Sequence, residues 1–251
     1  MILHLPRMSA GGGLPMQVIN DTSQTWYSTF LGAIPPSQTL VEIEFLRAQL
    51  PRRQFRDVLD IGCGSGRHSR FLSSYGYDVL GIDTDAAAIR VARQFTHSGA
   101  RYLRHDMRDL DRLSESFDAA VCMSQSFGFF DDATNAGVLA AVKRRLRPHG
   151  RVVIDVYNRD FFAAGEGEKL RIGDDNAIPQ MSRLVDNRLL VTLDTRGQGV
   201  QNFDWRVYSP GEFRALAEGA GFSVALACTQ FNAAMPPSAA SPRMQFVLAV
   251  G

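Results

Sequence analysis

One stretch constrains this chain more than any other: Asp57-Val58-Leu59-Asp60-Ile61-Gly62-Cys63-Gly64-Ser65-Gly66-Arg67-His68-Ser69. A short apolar strand runs straight into a glycine-rich turn that opens a helix. An acid, Asp83 in Gly81-Ile82-Asp83, follows 17 positions after Gly66, at the end of the next apolar stretch. Strand, glycine turn, helix and downstream acid outline a nucleotide-type site at the carboxyl edge of a parallel sheet. Glycine lets the backbone come close to a ligand. A carboxylate there can accept hydrogen bonds from two ribose hydroxyls.

The details choose among ligands. The dinucleotide fingerprint G-x-G-x-x-G needs its third glycine at position 67, where this chain has Arg67. That argues against an NAD-dependent oxidoreductase. Asp60 stands two residues before Gly62, where an acid suits a positive amino group better than a pyrophosphate. The pattern D-x-G-x-G-x-G over residues 60–66 closely resembles motif I of class I S-adenosylmethionine-dependent methyltransferases. The resemblance extends over about residues 40–250 and is most specific at 57–69, 81–85, 104–110, 117–130 and 143–160.

Composition narrows the alternatives. A chain of 251 residues, 45% hydrophobic and 21% charged, suits one α/β domain with elaborations. A net charge of +1 lacks the excess of a dedicated nucleic-acid binder, although Arg47, Arg52, Arg53 and Arg56 form a local basic patch. No apolar run approaches a membrane span. Cys63, Cys122 and Cys228 have no C-x-x-C spacing, so neither a zinc site nor a disulfide framework is expected, and the expected compartment is the cytoplasm.

Helices are expected over 24–31 and 37–50, broken by Pro35-Pro36, with Val41, Phe45, Leu46 and Leu50 on one face of the second. Strand and helix then alternate. Strands are expected over 58–61, 78–82, 100–104, 117–123 and 151–157, with helices over 67–75, 85–95 and 131–146 between them. The very apolar 117–123 is placed centrally in a sheet covered on both faces. Residues 168–208 alternate between turn signals and read as inserted antiparallel strands. Ser209-Pro210 reads as a helix start, and the last strands fall at 222–229 and 243–250.

This order resembles the Rossmann-like, seven-stranded class I methyltransferase fold. Its sheet is mostly parallel with the last strand antiparallel beside the fifth, helices cover both faces, and here a small antiparallel β insertion follows strand 5. The expected organisation is a disordered leader over 1–15, N-terminal lid helices over 16–55, the cofactor-binding core over 56–167, the insertion over the active site at 168–208, and the rest of the core over 209–251.

The resemblance implies S-adenosylmethionine as cofactor and S-adenosylhomocysteine as product, with no metal. Asp60, Gly62, Cys63, Gly64 and Gly66 would surround its methionine part. Arg67 would face its carboxylate, or else be a solvated first-turn residue. Asp83 and Thr84 would take the ribose, with the alternative that Asp83 caps the next helix. Asp106 and Met107 would flank the adenine; Asp109 is the rival acid, and a helix cap the other reading of either. Cys122-Met123-Ser124-Gln125-Ser126-Phe127-Gly128-Phe129-Phe130 resembles the S-F-G-Y-F variant of motif IV seen in small-molecule methyltransferases. Met123 would touch the cofactor. Gln125, Phe127 and Phe129 would face the acceptor, unless the phenylalanines are plain core. Tyr27 and Trp26 are candidates for closing over cofactor and substrate. Tyr157 and Asn158 at the end of strand 5, with His68, are the candidate catalytic groups, and Arg206 is a candidate for reaching the acceptor from the insertion.

The N-P-P-Y and D-P-P-Y signatures of nucleobase and glutamine methyltransferases are absent. The resemblance therefore implies a small-molecule acceptor, with no nucleic-acid or membrane partner, acted on by a monomer or homodimer. None of the five histidines is plainly placed as a base, which favours a nitrogen acceptor and proximity as the main catalytic term. An oxygen acceptor is the alternative, followed by tRNA or protein.

Overall fold

The computed structural model describes residues 34–95, 99–164, 180–195 and 199–251. The first helix, α1 (Pro36–Gln49), leads into β1 (Asp57–Ile61), α2 (Arg67–Ser74), β2 (Asp78–Asp83), α3 (Ala86–Gln94) and β3 (Ala100–Arg104). A 3₁₀ turn over Met107–Arg112 precedes β4 (Phe117–Cys122), α4 (Asp132–Arg145), β5 (Leu146–Tyr157) and α5 (Arg159–Ala164). The three strands β6 (Gln180–Val185), β7 (Arg188–Thr195) and β8 (Gly199–Arg206) come next, then α6 (Pro210–Gly219), β9 (Ser223–Cys228) and β10 (Arg243–Ala249).

Seven strands form one sheet in the order β3-β2-β1-β4-β5-β10-β9. The first five are parallel, and β10 runs antiparallel between β5 and β9. The expected insertion is a separate antiparallel sheet, β6-β7-β8. Among the described residues, no helix is long and apolar enough to cross a membrane.

The sheet is apolar on both faces because its strand residues alternate between two cores. Leu59, Ile61, Leu80, Ile82, Ala120, Ile154 and Phe246 pack with Val138 and Leu139 of α4 and Phe213 of α6. Val58, Val79, Ala119, Val121, Val153 and Val247 pack on the other face with α1 and α2. Each buried Leu, Ile or Phe contributes about 1.5–3 kcal/mol, so the sheet is anchored from both sides.

Helix signals in the sequence match the observed ends. Asp85 caps α3 by accepting from the Ala87 amide at 2.7 Å, and Ser209 and Glu212 form a reciprocal capping box on α6. The stripe on α1 differs from the expected one. Val41 is exposed, and the buried positions are Thr39, Glu42, Ile43, Phe45 and Leu46, followed by Leu50. Hydrophobicity alone pointed to Val41; a charged residue occupies the buried face in its place.

The small sheet is fastened to the large one at Gly128. This glycine has φ +103°, its carbonyl accepts from the Arg206 amide at 2.7 Å, and an added Cβ would lie 2.5 Å from the Arg206 carbonyl oxygen. The Arg159 amide donates to the Tyr208 carbonyl at 2.9 Å on the other side. Gly128→Ala is therefore expected to lower stability by about 1–3 kcal/mol through backbone strain and to expose residues 180–208 to protease. Urea unfolding and limited proteolysis check both effects.

Candidate functional site

Strand order reverses between β1 and β4, so the connections leaving these neighbours run in opposite directions. The reversal opens a crevice beyond their carboxyl ends, the place where sheets of this kind take ligands. The glycine turn lies there. Gly62, Gly64 and Gly66 have φ of 69°, 54° and 79°, and the Gly62 and Cys63 amides donate to the Ile82 carbonyl at 2.9 and 3.0 Å. The space around the glycines is partly taken by the protein itself. A Cβ on Gly62 would lie 2.6 Å from the Ser126 side chain. One on Gly66 would lie 2.5 Å from the Tyr102 hydroxyl oxygen.

Two acids stand beside this turn. Asp83 accepts the Gly64 amide on one oxygen (2.8 Å) and the Asp85 amide on the other (2.9 Å). Each oxygen keeps acceptor capacity, and Asp85 rather than Asp83 caps α3. Asp60 is buried and accepts from the Ser69 hydroxyl at 2.5 Å. Burial pushes both carboxyls above the usual carboxylate range, against the lowering effect of those hydrogen bonds. Two acceptor-rich acids under a desolvation penalty fit a ligand that brings donors, such as an ammonium and a ribose diol. S-adenosylmethionine carries both, so the residues present fit that cofactor.

Arg67 opens α2, and its guanidinium is held on two edges. Nη1 donates to Glu42 Oε2 at 2.5 Å and Thr39 Oγ1 at 2.9 Å; Nη2 donates to Ser124 Oγ at 2.8 Å. His68 Nε2 lies 2.8 Å from the same Glu42 oxygen. Glu42 is fully buried. Burial raises its carboxyl, but the hydrogen bond to His68 and the charges of His68 and Arg67 outweigh that and hold it down at about 2.

Ser124 and Gln125 follow β4 with φ of 56° and 60°, a left-handed pair that non-glycine residues rarely adopt. Asp155 of β5 secures this turn. Its Oδ2 accepts the Ser124 amide at 2.9 Å and its main-chain oxygen the Gln125 amide at 3.1 Å. Gln245 donates to Oδ1 at 2.8 Å, and Arg243 pairs with the same carboxylate.

Other residues expected near the cofactor also have contacts within the protein. Asp106 caps the 3₁₀ turn through the Arg108 amide at 2.8 Å and pairs with the Arg108 guanidinium, which lowers its carboxyl. Met107 packs against the main core. Met123 is buried with α1 and α2, and Cys63 packs with Ile89, Ala92 and Tyr102. Thr84 is exposed, and its carbonyl accepts from Arg104.

On the acceptor side, four of the expected residues have partners within the protein. Phe127 is core, edge-on to Phe213 at 5.8 Å and beside Tyr208. Gln125 uses both ends of its amide internally, donating to the Phe127 carbonyl and accepting from the Tyr157 amide. Asn158 is fully buried, donating to the Ser238 and Ser241 carbonyls and accepting from the Asp160 amide. Arg206 lies over the Tyr208 ring and bonds Asp132. These groups brace loops, because polar atoms buried at strand ends must find partners. His68, bound to Glu42 and buried, is likewise no free base.

Phe129 and Tyr157 are joined by Trp205 of β8. Phe129 is 37% exposed, and Trp205 contacts it at 6.1 Å and Tyr157 edge-on at 5.9 Å. Burial pushes the Tyr157 phenol up to about 12. Trp26 and Tyr27 lie outside the described residues. Sequence reasoning missed Glu42, Ser124, Asp155 and Trp205. Glu42 carried one signal, a carboxylate on the apolar stripe of α1.

Residues 58–150 match the family described as a methyltransferase domain. The chain is 25% identical over 217 residues to YqeM of Bacillus subtilis, whose name carries a provisional methyltransferase assignment; the match covers 81% of this chain and 87% of that one. It is 35% identical over 118 residues to a ubiquinone biosynthesis O-methyltransferase of Hahella chejuensis, covering 45% of this chain and 47% of the relative. The chain thus spans about half the length of that relative. Among solved structures, the S-adenosylmethionine-bound amino pentose methyltransferase CalS10 of Micromonospora echinaspora resembles it with a TM-score of 0.64 and 21% identity, over 91% of this chain and 97% of that one. That is a likeness of fold.

Two outcomes follow from the geometry. Phe127→Ala is expected to cost about 3–5 kcal/mol by leaving a core cavity, read as a lower urea midpoint. Glu42 has a folded pKa below its unfolded value of 4.5. It therefore contributes stability above pH 4.5, on the order of 3 kcal/mol, which is lost as the pH falls towards 2. Urea melts across that window are expected to show a steeper acid loss for the wild type than for Glu42→Gln.

Proposed function

We propose that this chain, a methyltransferase that uses S-adenosylmethionine, acts on a small-molecule acceptor, at a nitrogen of a heteroaromatic or amine metabolite. One observation carries the choice of atom: among the described residues, the aromatic cluster read here as the acceptor edge holds no placed base. Phe129 is partly exposed, and Trp205 packs against it and, with Phe162, against the Tyr157 ring. The Tyr157 phenol, pushed up to about 12, stays protonated at neutral pH. His68 is committed to Glu42, and His105 Nε2 lies 3.0 Å from the Asp109 carbonyl.

When bound, the cofactor would supply a methyl group on a sulfonium, transferable to an acceptor nitrogen with S-adenosylhomocysteine as the product. Asp60 holds the ammonium and Asp83 the ribose hydroxyls. Arg67 faces the cofactor's carboxylate. The aromatic cluster holds a flat acceptor by stacking and keeps water from the methyl group. Holding the reacting atoms in line then supplies most of the rate.

An oxygen acceptor is the second reading, because the Hahella relative is named for O-methylation. A phenol or alcohol needs a base to lose its proton. A nucleic-acid acceptor is disfavoured by the net charge of +1.

Calorimetry against S-adenosylmethionine, S-adenosylhomocysteine and NAD tests the cofactor reading. Binding of both adenosyl ligands and none of NAD is expected, and Asp83→Ala should weaken adenosyl binding at least about tenfold, the loss of one buried charge-assisted hydrogen-bond pair. Labelled methyl transfer to a panel of aromatic amines and phenols then tests the acceptor. Tyr157→Phe is expected to keep kcat within about threefold on an amine. A loss of about a hundredfold, the scale of general base catalysis, would return the base role to Tyr157 and favour oxygen.

A further inference from the structure

Glu42 is the most demanding residue in the described structure outside the strands. It sits on the buried stripe of α1, between Thr39 and Ile43, and is fully removed from water. An apolar residue there would extend the packing of Ile43 and Leu46 against α2 and β1. Burying an ionised carboxylate instead costs several kcal/mol unless partners compensate. Its partners are all placed: Arg67 Nη1 at 2.5 Å, His68 Nε2 at 2.8 Å and the Gln38 amide at 3.2 Å.

The partners show what the carboxylate does. Arg67 and His68 are the first two residues of α2, directly beyond Gly66. Arg67 is free to swing on three methylenes in most settings. Here Glu42 and Thr39 fix one guanidinium nitrogen, and Ser124 fixes the other. Ser124 is itself held in a left-handed conformation by the buried Asp155 carboxylate on its amide. Both flanks of the guanidinium are thus set by buried acids, one directly and one through a strained turn. Its plane is fixed before any ligand arrives.

We propose that Glu42 is a positioning residue, holding the Arg67 guanidinium against the amino-acid end of the cofactor so that α1 completes the cofactor site. This rests on the cofactor reading above. Preorganising a planar donor fork spares the ordering cost on binding. The effect is expected at the carboxylate-bearing half of the ligand, because Asp83, which takes the ribose in this reading, bonds the Gly64 and Asp85 amides and neither Glu42 nor Arg67 among the described residues.

The test compares two ligands by calorimetry. S-adenosylhomocysteine carries the amino-acid end, and 5′-methylthioadenosine lacks it. Glu42→Gln is expected to weaken S-adenosylhomocysteine about tenfold, the usual scale for a charge-assisted contact, and to leave 5′-methylthioadenosine within twofold. Arg67→Lys keeps a cation but cannot span Glu42 and Ser124 at once. It is expected to show the same selective loss and serves as the second variant if Glu42→Gln does not fold. The double variant should lose no more than either alone, as coupled residues do. Equal loss of both ligands, or no loss of either, overturns the proposal while leaving the cofactor reading standing. If the wild type binds neither ligand, the cofactor reading fails and the role of Glu42 fails with it.

Discussion

The site depends on one constraint: ionised side chains at the carboxyl edge of a buried parallel sheet must find partners. Where strand order reverses between β1 and β4, the chain leaves neighbouring strands in opposite directions, and a crevice opens between them. Asp60 at the end of β1, Asp83 at the end of β2, and Asp155 at the end of β5 all converge there, joined from α1 by Glu42. In a region of low dielectric, each must be neutralised, hydrogen-bonded or left for a ligand.

The four acids divide by how this is met. Glu42 is paired with Arg67 and hydrogen-bonded with His68 and is held low, at about 2. Asp155 is closed by the Ser124 amide, Gln245 and Arg243. These two brace the loops. Asp60 and Asp83 accept from a hydroxyl and backbone amides without a bonded cation, and burial raises both. Of the four, these two are the acids without a cationic partner among the described residues, and an ammonium and a diol are donors that fit them. The distinction between compensated and uncompensated acids thus follows from their partners rather than from position along the chain.

The glycine turn shows the same sharing between ligand and scaffold. Gly62 and Gly66 combine left-handed φ with side chains pressed against them from behind, Ser126 in one case and Tyr102 in the other. Gly81 also faces the Tyr102 ring, 2.7 Å from where its Cβ would stand. Tyr102 of β3 is therefore a template for the turn. On the acceptor side, Gly128 brings β8 against the loop after β4, and this contact carries Trp205 to Phe129 and Tyr157.

The sequence by itself determined the element order, the central place of β4, the antiparallel insertion and the glycine turn with its two acids. Local rules suffice for these: apolar runs of strand length, Asp85 and Ser209 as caps, and glycines where the backbone turns left-handed. Tertiary structure alone decided which polar side chains reach the crevice. Nothing local separates Gln125 and Asn158, spent on buried backbone groups, from Asp83, which keeps acceptor capacity. Phe127 and Phe129 stand two positions apart in one loop, yet one is core and the other partly exposed, because the turn at Ser124–Gln125 sets their directions. Glu42 reads locally as a carboxylate on the apolar stripe of α1, with nothing local to name Arg67 and His68 as its partners. Its role appears only when α1 packs beside Arg67, since burial and pairing of a charge are set by residues distant in the chain.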